Sequence, residues 1–312
     1  MSTTREIARE TARHRSRTAR LATAAGALLA VASAVLALPG TASAAPAARP
    51  TAHPVTHPAG QTAAQAAAAA KVTHPELDWL GSTVPAHDPG AALRPAAAVK
   101  PLDATVSGMD VSAYQGAVDW ATAAANGGQF AYVKATEGTS YTNPDFSQQY
   151  NGSYNAGMIR GAYHFATPNT SGGAAQADYF VSNGGGWSAD GKTLPPMLDI
   201  EYNPYGDECY DLSQADMVSW IAAFSNEVLA RTGRYPTIYS TTDWWTTCTG
   251  NSSAFSATNP LFVADYNGTV GTLPAGWAAW TFWQYADSGT FPGDQDYFDG
   301  AIDRLQALAL NQ

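Results

Sequence analysis

The sequence is poor in charged residues and in cysteine. Only 13% of its 312 residues are charged, with 16 Lys and Arg against 26 Asp and Glu. The net charge of -10 opposes a nucleic-acid partner, because neutralising phosphates requires clustered Lys and Arg. The 45% of hydrophobic residues, with 9 Trp, 15 Tyr and 10 Phe, exclude a disordered chain or a coiled coil. We therefore expect an aromatic-rich globular protein.

Residues 1–44 have the three parts of a secretory signal. Six Arg lie between Arg5 and Arg20, an uncharged stretch runs from Leu21 to Leu38, and Ala42-Ser43-Ala44 is a small-residue cleavage pattern. The uncharged stretch is also long enough for one membrane anchor. Pro39-Gly40 and the cleavage pattern favour removal, so we predict a signal peptide and a secreted, extracellular protein with no stable membrane association.

The sequence contains two cysteines, Cys209 and Cys248. An even count in an oxidising compartment predicts one disulfide, which would close a loop of about 40 residues. Two buried free thiols are the alternative. In either case we expect no cysteine nucleophile.

Residues 45–102 are rich in Ala, Pro, Thr and His and have few bulky apolar side chains. Such a composition does not offset the entropy of ordering the chain, so we predict a disordered pro-segment or linker. His53, His57, His74 and His87 lie in it. A His-rich tract can bind metal weakly, but solvated linker residues are the favoured interpretation, and we expect no metal site and no cofactor.

Residues 103–312 alternate between strand-like runs and helical stretches, which predicts one α/β domain with a mainly parallel sheet of seven or eight strands, open or closed into a barrel. The strand-like runs are V-S-G-M-D-V-S, F-A-Y-V-K-A-T, I-R-G-A-Y-H-F-A, P-P-M-L-D-I-E, P-T-I-Y-S, P-L-F-V-A-D-Y and W-T-F-W-Q-Y. The predicted helices are Val118 to Asn126, Asn143 to Ala156, Gly173 to Asn183 and Leu212 to Thr232, the last with Ser213 as N-cap and Gly233 as its stop.

The domain has few residues for metal or nucleophilic chemistry. Its single histidine is His164, and it contains no G-x-S-x-G, H-E-x-x-H or G-x-x-x-x-G-K-[ST]. Zinc hydrolases, serine hydrolases and NTP-binding enzymes therefore have no support. The remaining candidates for catalytic groups are the carboxyl groups of Asp and Glu.

The strongest candidate pair is Asp199 and Glu201, at the end of the apolar run P-P-M-L-D-I-E. On a strand, residues i and i+2 share a face. At the carboxyl end of a parallel sheet they would point into the ligand crevice, where their mutual repulsion pushes their pKa values apart. The alternative is an exposed acidic strand end that binds a cation or an Arg.

Three further acids lie at other strand ends. Asp110 ends the first run, and Asp294 and Asp296 follow the last run. If the sheet closes, the first and last strands are neighbours and these acids face one cavity. Singly, each is more typical of a turn, so only their co-occurrence favours a site.

Seven longer motifs follow one another along the domain. They are D-V-S-A-Y-Q-G, A-Y-V-K-A-T-E-G, G-M-I-R-G-A-Y-H-F, L-P-P-M-L-D-I-E, Y-P-T-I-Y-S, L-F-V-A-D-Y, and W-Q-Y followed by G-D-Q-D-Y-F. Together these motifs resemble glycoside hydrolase family 25, the Chalaropsis-type lysozymes or N-acetylmuramidases. The resemblance implies an irregular, TIM-barrel-like (β/α) barrel with roughly five βα units and three less helical strands.

The resemblance also implies roles for the acids. Glu201 corresponds to the general acid, Asp199 to the group that orients or stabilises the reacting sugar, and Asp110 to the acid of the first strand. Asp294 matches the acid of the last motif, D-L-N-x-F, although that motif here reads D-Q-D-Y-F and leaves Asp296 where Asn is common.

Three other residues of these motifs have no catalytic role that we can assign. We expect an ion pair between Lys134 and Glu137. For His164 we expect a structural or substrate-contacting role.

Retaining and inverting glycosidases differ in the separation of their two carboxyl groups. A D-x-E pair also suits a third route, in which the substrate's N-acetyl group attacks the anomeric carbon, and we favour that route. Aromatic side chains at strand ends suit a glycan cleft, although core packing is the commoner role for any one of them. The expected substrate-binding residues are Tyr114, Tyr163, Tyr202, Tyr239, Trp283, Tyr285 and Asp296.

The function expected from these residues is that of a secreted lysozyme acting on peptidoglycan. The alternatives are a chitinase-like hydrolase and a catalytically silent cell-wall-binding module. Loss of residues 1–44 would leave 10 Lys and Arg against 24 Asp and Glu. Such an acidic enzyme is repelled by anionic wall polymers, so we expect an acidic pH optimum. No heptad pattern is evident, and we expect a monomer.

Overall fold

The structure is a computed structural model that describes residues 61–87 and 104–312. The predicted signal peptide lies outside the described residues, as do residues 45–60 and 88–102 of the predicted linker.

Residues 104–312 form nine strands, eight of which close into a barrel. The strands are β1 (Thr105–Val111), β2 (Phe130–Glu137), β3 (Tyr141–Thr142), β4 (Ile159–Phe165), β5 (Met197–Asp199), β6 (Thr237–Ser240), β7 (Leu261–Ala264), β8 (Phe282–Ala286) and β9 (Asp294–Asp299). The barrel order is β1-β9-β8-β7-β6-β5-β4-β2, closed by pairing of β1 with β2. The short β3 adds to β2 outside this ring.

Seven barrel strands are parallel, and β9 is antiparallel to both β1 and β8. Each of the seven predicted runs overlaps one of the parallel strands and omits at most one of its residues. The run D-Q-D-Y-F was not predicted to be a strand, because Asp has low β propensity. It forms β9, on which Asp294 and Asp296 share the face that looks into the barrel.

Helices follow most of the strands. They are α1 (Ala63–Ala70), α2 (Val84–His87), α3 (Trp120–Ala125), α4 (Phe146–Asn155), α5 (Gly173–Ser182), α6 (Gln214–Thr232), α7 (Thr242–Thr249) and α8 (Ile302–Leu310). The four helices predicted in the domain are α3 to α6. The predicted caps of α6 are confirmed, because Ser213 accepts from the Asp216 N–H and Gly233 adopts a left-handed φ of 72°.

Helices α7 and α8 were not predicted from the sequence. In residues 61–87 and 104–312, no helix is long and apolar enough to cross a membrane.

Aromatic side chains fill the amino-terminal half of the barrel. The ring centroid of Phe282 lies 5.3 Å from those of Phe130, Phe262 and Phe298 and 5.6 Å from that of Tyr132. The alternate residues of the strands pack outward against the helices. Because the lower half is closed by rings, only the carboxyl end of the barrel can accept a ligand.

The prediction of disorder is wrong for residues 61–87. Helix α1 has a complete capping box at Thr62 and Gln65. Leu80 and Val84 are 0% and 2% exposed and pack into the mouth of the barrel. We call residues 71–87 the cleft segment. The prediction was based on the average composition of residues 45–102, in which two apolar side chains have little weight. Their burial favours an ordered conformation.

The predicted disulfide between Cys209 and Cys248 is confirmed, with a Cα–Cα distance of 5.3 Å. It joins α7 to the loop that follows β5. Nearby, the Trp244 indole N–H donates to the Glu208 carbonyl over 3.0 Å. The two contacts hold the loop that begins directly after Asp199.

Removing this disulfide should destabilise the barrel. By the chain-entropy relation, a loop of this length is worth about 3 to 4 kcal/mol. We expect the double variant Cys209→Ser, Cys248→Ser to unfold about 10 °C below the parent in a thermal melt. Adding a reductant should lower the melting temperature of the parent and leave that of the double variant unchanged. Equal melting temperatures of parent and double variant would contradict the prediction.

Candidate active site

Four of the predicted acids meet at the carboxyl end of the barrel. Asp110 on β1 lies directly opposite Asp294, the first residue of β9. Asp199 is the last residue of β5, and Glu201 follows two residues later on the same face. All four side chains are buried. The antiparallel β9 makes this possible, since its amino end lies beside the carboxyl ends of the parallel strands.

Gln284 on β8 links two of these acids. Its amide nitrogen donates to Asp110 Oδ2 over 2.9 Å and to Asp294 Oδ2 over 2.7 Å. Its amide oxygen accepts from the hydroxyls of Tyr239 and Tyr266 over 2.6 and 2.7 Å. These bonds fix the orientation of the amide, so that its donors face the two carboxylates.

Burial raises the pKa of Asp110 and of Asp294 well above the ordinary value for aspartate. The Gln284 amide opposes this at Asp110 by donating to its charged form. At Asp294, the charge of Asp110 raises the pKa further. The pair therefore binds protons more tightly than exposed carboxylates do.

Glu201 accepts two hydrogen bonds from the cleft segment. The Gly81 N–H donates to Oε1 over 2.7 Å, and the Thr83 hydroxyl donates to Oε2 over 3.0 Å. Burial nevertheless raises the pKa of Glu201 from 4.5 to about 7, against the effect of these two donors. A carboxyl with this pKa can hold or release a proton near neutrality.

Asp199 lies beside Glu201 without the same support. Within the described residues, its carboxyl has a side-chain hydrogen bond with Glu201 and no other hydrogen-bond partner. Burial, followed by the charge of Glu201, raises the pKa of Asp199 well above its usual range. The two neighbouring carboxyls therefore form the carboxylate pair that the D-x-E spacing predicts.

Asp296 lies one layer deeper than Asp294, opposite Gly108 on β1 and Gln284 on β8. Its side chain is 0% exposed, and burial and the charge of Asp110 raise its pKa well above the ordinary value. The protonated form is therefore favoured. A protonated carboxyl is neutral and has a donor, as the amide of Asn has, which explains why Asp can occupy this position.

The predicted ion pair between Lys134 and Glu137 is confirmed, with Nζ 2.8 Å from Oε2. Lys134 is completely buried, and Asp78 of the cleft segment is its second partner, with Oδ2 at 3.1 Å and the main-chain carbonyl also accepting from Nζ. Burial alone would lower the pKa of Lys134, but the carboxylates of Asp78 and Glu137 raise it above its ordinary value. Lys134 therefore stays charged at the edge of the site.

Four of the six predicted aromatic residues lie inside the barrel or on the loops that follow β1 and β5. Tyr163 and Tyr239 lie inside the barrel, and Tyr202 follows Glu201 and donates to Asp243 Oδ2 over 3.0 Å. Tyr114, which follows β1, is 62% exposed. They place aromatic faces from the wall of the barrel to its rim.

The structure does not bring Trp283 and Tyr285 to the acids. Both lie on the outer face of β8, where the Tyr285 ring stacks on Tyr297 with centroids 4.4 Å apart. Gln284, between them, faces the site. The alternation of F-W-Q-Y could have identified Gln284, but our preference for aromatic sugar contacts selected the opposite face. Tyr266 on the loop after β7 also went unrecognised.

His164 is structural. Its Nδ1 accepts from the Thr136 hydroxyl over 2.8 Å, and its Nε2–H donates to Gln176 Oε1 over 2.9 Å. The ring packs between Phe180 and Phe224, on the helix side of β4. Burial lowers its pKa to about 3, so it remains neutral and away from the acids.

Comparisons with known proteins agree with the barrel fold. Residues 109–294 match the family described as glycosyl hydrolases family 25. An N,O-diacetylmuramidase of Chalaropsis sp is 52% identical over 209 residues, which are 66% of this chain and 99% of that protein. Lysozyme M1 of Streptomyces globisporus is 50% identical over 219 residues, 68% of this chain and 74% of that protein.

A solved structure of a muramidase from Acremonium alcalophilum matches the chain with a TM-score of 0.66 and 55% identity. The match covers 66% of this chain and 100% of that structure. This share is about 206 residues, which is close to the 209 residues from 104 to 312. A chain of barrel size is therefore sufficient to form the fold.

Replacing Asp296 with Asn should stabilise the protein at neutral pH. The folded-state pKa of Asp296 is raised, so its contribution to stability is fully present below about pH 4 and is lost as the pH rises from there through the folded-state pKa. Asn does not titrate. We expect Asp296→Asn to raise the melting temperature at pH 7 by at least about 2 °C, and by less at pH 4.

The matched control is Asp299→Asn, on the same strand but exposed. It should leave the pH dependence of the melting temperature as in the parent. A lower melting temperature for Asp296→Asn at pH 7 would contradict the prediction.

Proposed function

The chain belongs to glycosyl hydrolases family 25, and from that premise we propose that it is a secreted lysozyme (1,4-β-N-acetylmuramidase). Its substrate is bacterial peptidoglycan, in which it hydrolyses the β-1,4 bond between N-acetylmuramic acid and N-acetylglucosamine. The observation that carries this proposal is the set of buried acids at the open end of the barrel, with the Glu201 pKa raised to about 7. The relatives named as muramidases support the choice of bond and of polymer.

Glu201 is the general acid in this proposal. A general acid must be protonated at the working pH and must release its proton when the bond breaks, which favours a pKa near neutrality. Burial keeps Glu201 in that range, and Lys134 lowers its pKa only as a minor effect. The proton passes to the glycosidic oxygen as the bond from that oxygen to the anomeric carbon breaks.

Asp199 orients and stabilises the substrate's N-acetyl group. The acetamido oxygen attacks the anomeric carbon as the glycosidic bond breaks, and the nitrogen of the resulting ring carries positive charge. A neighbouring carboxylate that accepts a hydrogen bond from that N–H stabilises the charge. Within the described residues Asp199 has no hydrogen-bond partner other than Glu201, which supports this role, since an oxygen remains available to the substrate. Water then opens the ring and gives its proton to Glu201.

Asp110 and Asp294 hold the sugar from the opposite side of the cleft. Gln284 donates to one oxygen of each, over 2.9 and 2.7 Å. Each carboxyl retains lone pairs that can accept from sugar hydroxyls. Tyr114, Tyr163, Tyr202 and Tyr239 supply aromatic surface, and Asp296 supports Asp110 from the layer below.

The site of action is extracellular. The signal pattern of residues 1–44 and the disulfide between Cys209 and Cys248 both support export to an oxidising compartment. The protein acts as a monomer, without a nucleic-acid partner and without stable membrane association.

Substituting Glu201 should abolish glycan cleavage. Purified peptidoglycan is digested with residues 104–312 of the parent and of Glu201→Gln, and the reduced fragments are identified by mass spectrometry. We expect muramitol ends from the parent and at least about a 100-fold slower release from the variant, because removing a general acid costs 10²- to 10⁴-fold. Glu227→Gln, on α6, is the matched control and should retain the parent's rate.

Other products would point to the alternatives. Glucosaminitol ends would mean that the other glycosidic bond is cut. Cleavage of chitin oligomers in preference to cell wall would indicate a chitinase-like hydrolase. A folded protein that binds glycan and produces no new ends would be a wall-binding module.

The rate should fall as the pH rises through about 7. The acid form of Glu201 is required, and its pKa of about 7 means that this form is lost above neutrality. We expect kcat/KM to be highest at acidic pH and to decrease about tenfold per pH unit well above the pKa. A profile of kcat/KM with its maximum above pH 8 would contradict the assignment.

A further inference from the structure

We propose that the cleft segment, residues 71–87, is an autoinhibitor that occupies the glycan-binding cleft, so that the full chain is an inactive precursor. A segment of the same chain thus binds in the active site of the barrel. This inference rests on the proposed function, because what is inhibited is the muramidase activity of the barrel.

The segment takes both oxygens of the candidate general acid. The Gly81 N–H and the Thr83 hydroxyl donate to Oε1 and Oε2 of Glu201. Both bonds favour the ionised carboxylate, whereas a general acid must be protonated with its O–H directed at the substrate. The contact therefore blocks Glu201 sterically and opposes its protonation.

The main chain of Leu80 uses the polar groups next to the acids. Its N–H donates to the Tyr163 hydroxyl over 3.3 Å, and its carbonyl accepts from the Gln284 amide over 3.2 Å. The Leu80 and Val84 side chains pack in the apolar cluster that contains Tyr163 and Tyr239. A sugar cannot reach these groups while the segment is in place.

Two side chains of the segment stack on aromatic residues that we assign to the glycan. The Trp79 ring lies 5.7 Å from Tyr114, with an angle of 27° between the planes. The His87 ring lies 3.8 Å from Tyr202, with an angle of 9°. Flat rings on these faces occupy the places that sugar rings would take.

Asp78 anchors the segment to a buried cation. Its carboxylate lies 3.1 Å from Lys134 Nζ, and both groups are almost completely shielded from water. Ion pairs in such surroundings are little screened by salt. The pair gives the segment a specific position in the cleft, which apolar contacts alone would not define.

The position of Gly81 in the site requires a glycine. Its φ is +80°, a conformation that side chains with a Cβ adopt with strain. An added Cβ would lie 2.5 Å from the Tyr266 hydroxyl and 2.8 Å from that of Tyr239, and closer still to the amide oxygen of Gln284. Only glycine allows the main chain to approach Glu201 this closely.

The segment and the barrel belong to one chain, which strengthens their association. A tethered ligand has an effective concentration of about the millimolar range, so contacts of modest affinity keep the cleft filled. Cleavage of the chain anywhere between His87 and Ala104 would remove the tether. The barrel alone contains every strand and every acid of the site.

The test compares peptidoglycan hydrolysis by the exported chain, residues 45–312, with that by residues 104–312. We expect the barrel to be at least about tenfold faster. In the long chain, Gly81→Ala should also raise the rate at least about tenfold, because the added methyl group expels the segment without altering the barrel. A merely structural role of the segment would give no gain in rate.

The matched control is Gly233→Ala in the long chain. Gly233 also has a positive φ, of +72°, but an added Cβ there meets no atom within 4 Å. This variant should show no increase in rate. If the barrel is active, a long chain of equal rate, or no gain in Gly81→Ala beside a faster barrel, would overturn the inference.

A synthetic peptide of residues 71–87 tests the same contact without the tether. We expect it to bind the barrel, by calorimetry, and to inhibit it in competition with glycan, whereas a peptide with Gly81→Ala should bind at least about tenfold more weakly. An inactive barrel that still binds the peptide would contradict the proposed function and not the inference. An active barrel that fails to bind it would overturn the inference alone.

Discussion

The two hydrogen bonds from the Gln284 amide hold the active end of the barrel together. Asp110 and Asp294 face each other across the β1–β9 pairing, and the amide gives both carboxyls a shared donor. Tyr239 and Tyr266 orient that amide from behind. The antiparallel β9 therefore both closes the barrel and brings Asp294 next to Asp110. A change at Gln284 would act on both.

Concentrating carboxyls in this way opposes stability. Burial raises the pKa of Asp110, Asp199, Asp294 and Asp296, so that ionising any of them in the folded protein costs free energy. Other parts of the fold offset this cost. The rings around Phe282 fill the lower barrel, and the disulfide fixes the loop that follows Asp199. The same burial brings the pKa of Glu201 to a value that suits acid catalysis.

The cleft segment supplies hydrogen-bonding, charged and aromatic partners to groups that line the cleft. It supplies donors to Glu201, an acceptor to Gln284, a carboxylate to Lys134 and rings to Tyr114 and Tyr202. A glycan has hydroxyls, acetamido groups and flat apolar faces, so it can supply partners of the same kinds. This shared chemistry explains how a peptide can occupy the cleft that we assign to the glycan.

Local patterns in the sequence determined the seven parallel strands, helices α3 to α6, the carboxylate pair at Asp199 and Glu201, and the pairing of the only two cysteines. These features depend on residues close in the chain or, for the disulfide, on a cysteine count that allows one pairing. Period-two alternation shows that Trp283 and Tyr285 share a face, but it does not say which face is inside. Only the tertiary structure placed Gln284 inward, Asp294 opposite Asp110 and Gly81 against Glu201, because each of these contacts joins residues distant in sequence, or depends on how the barrel closes.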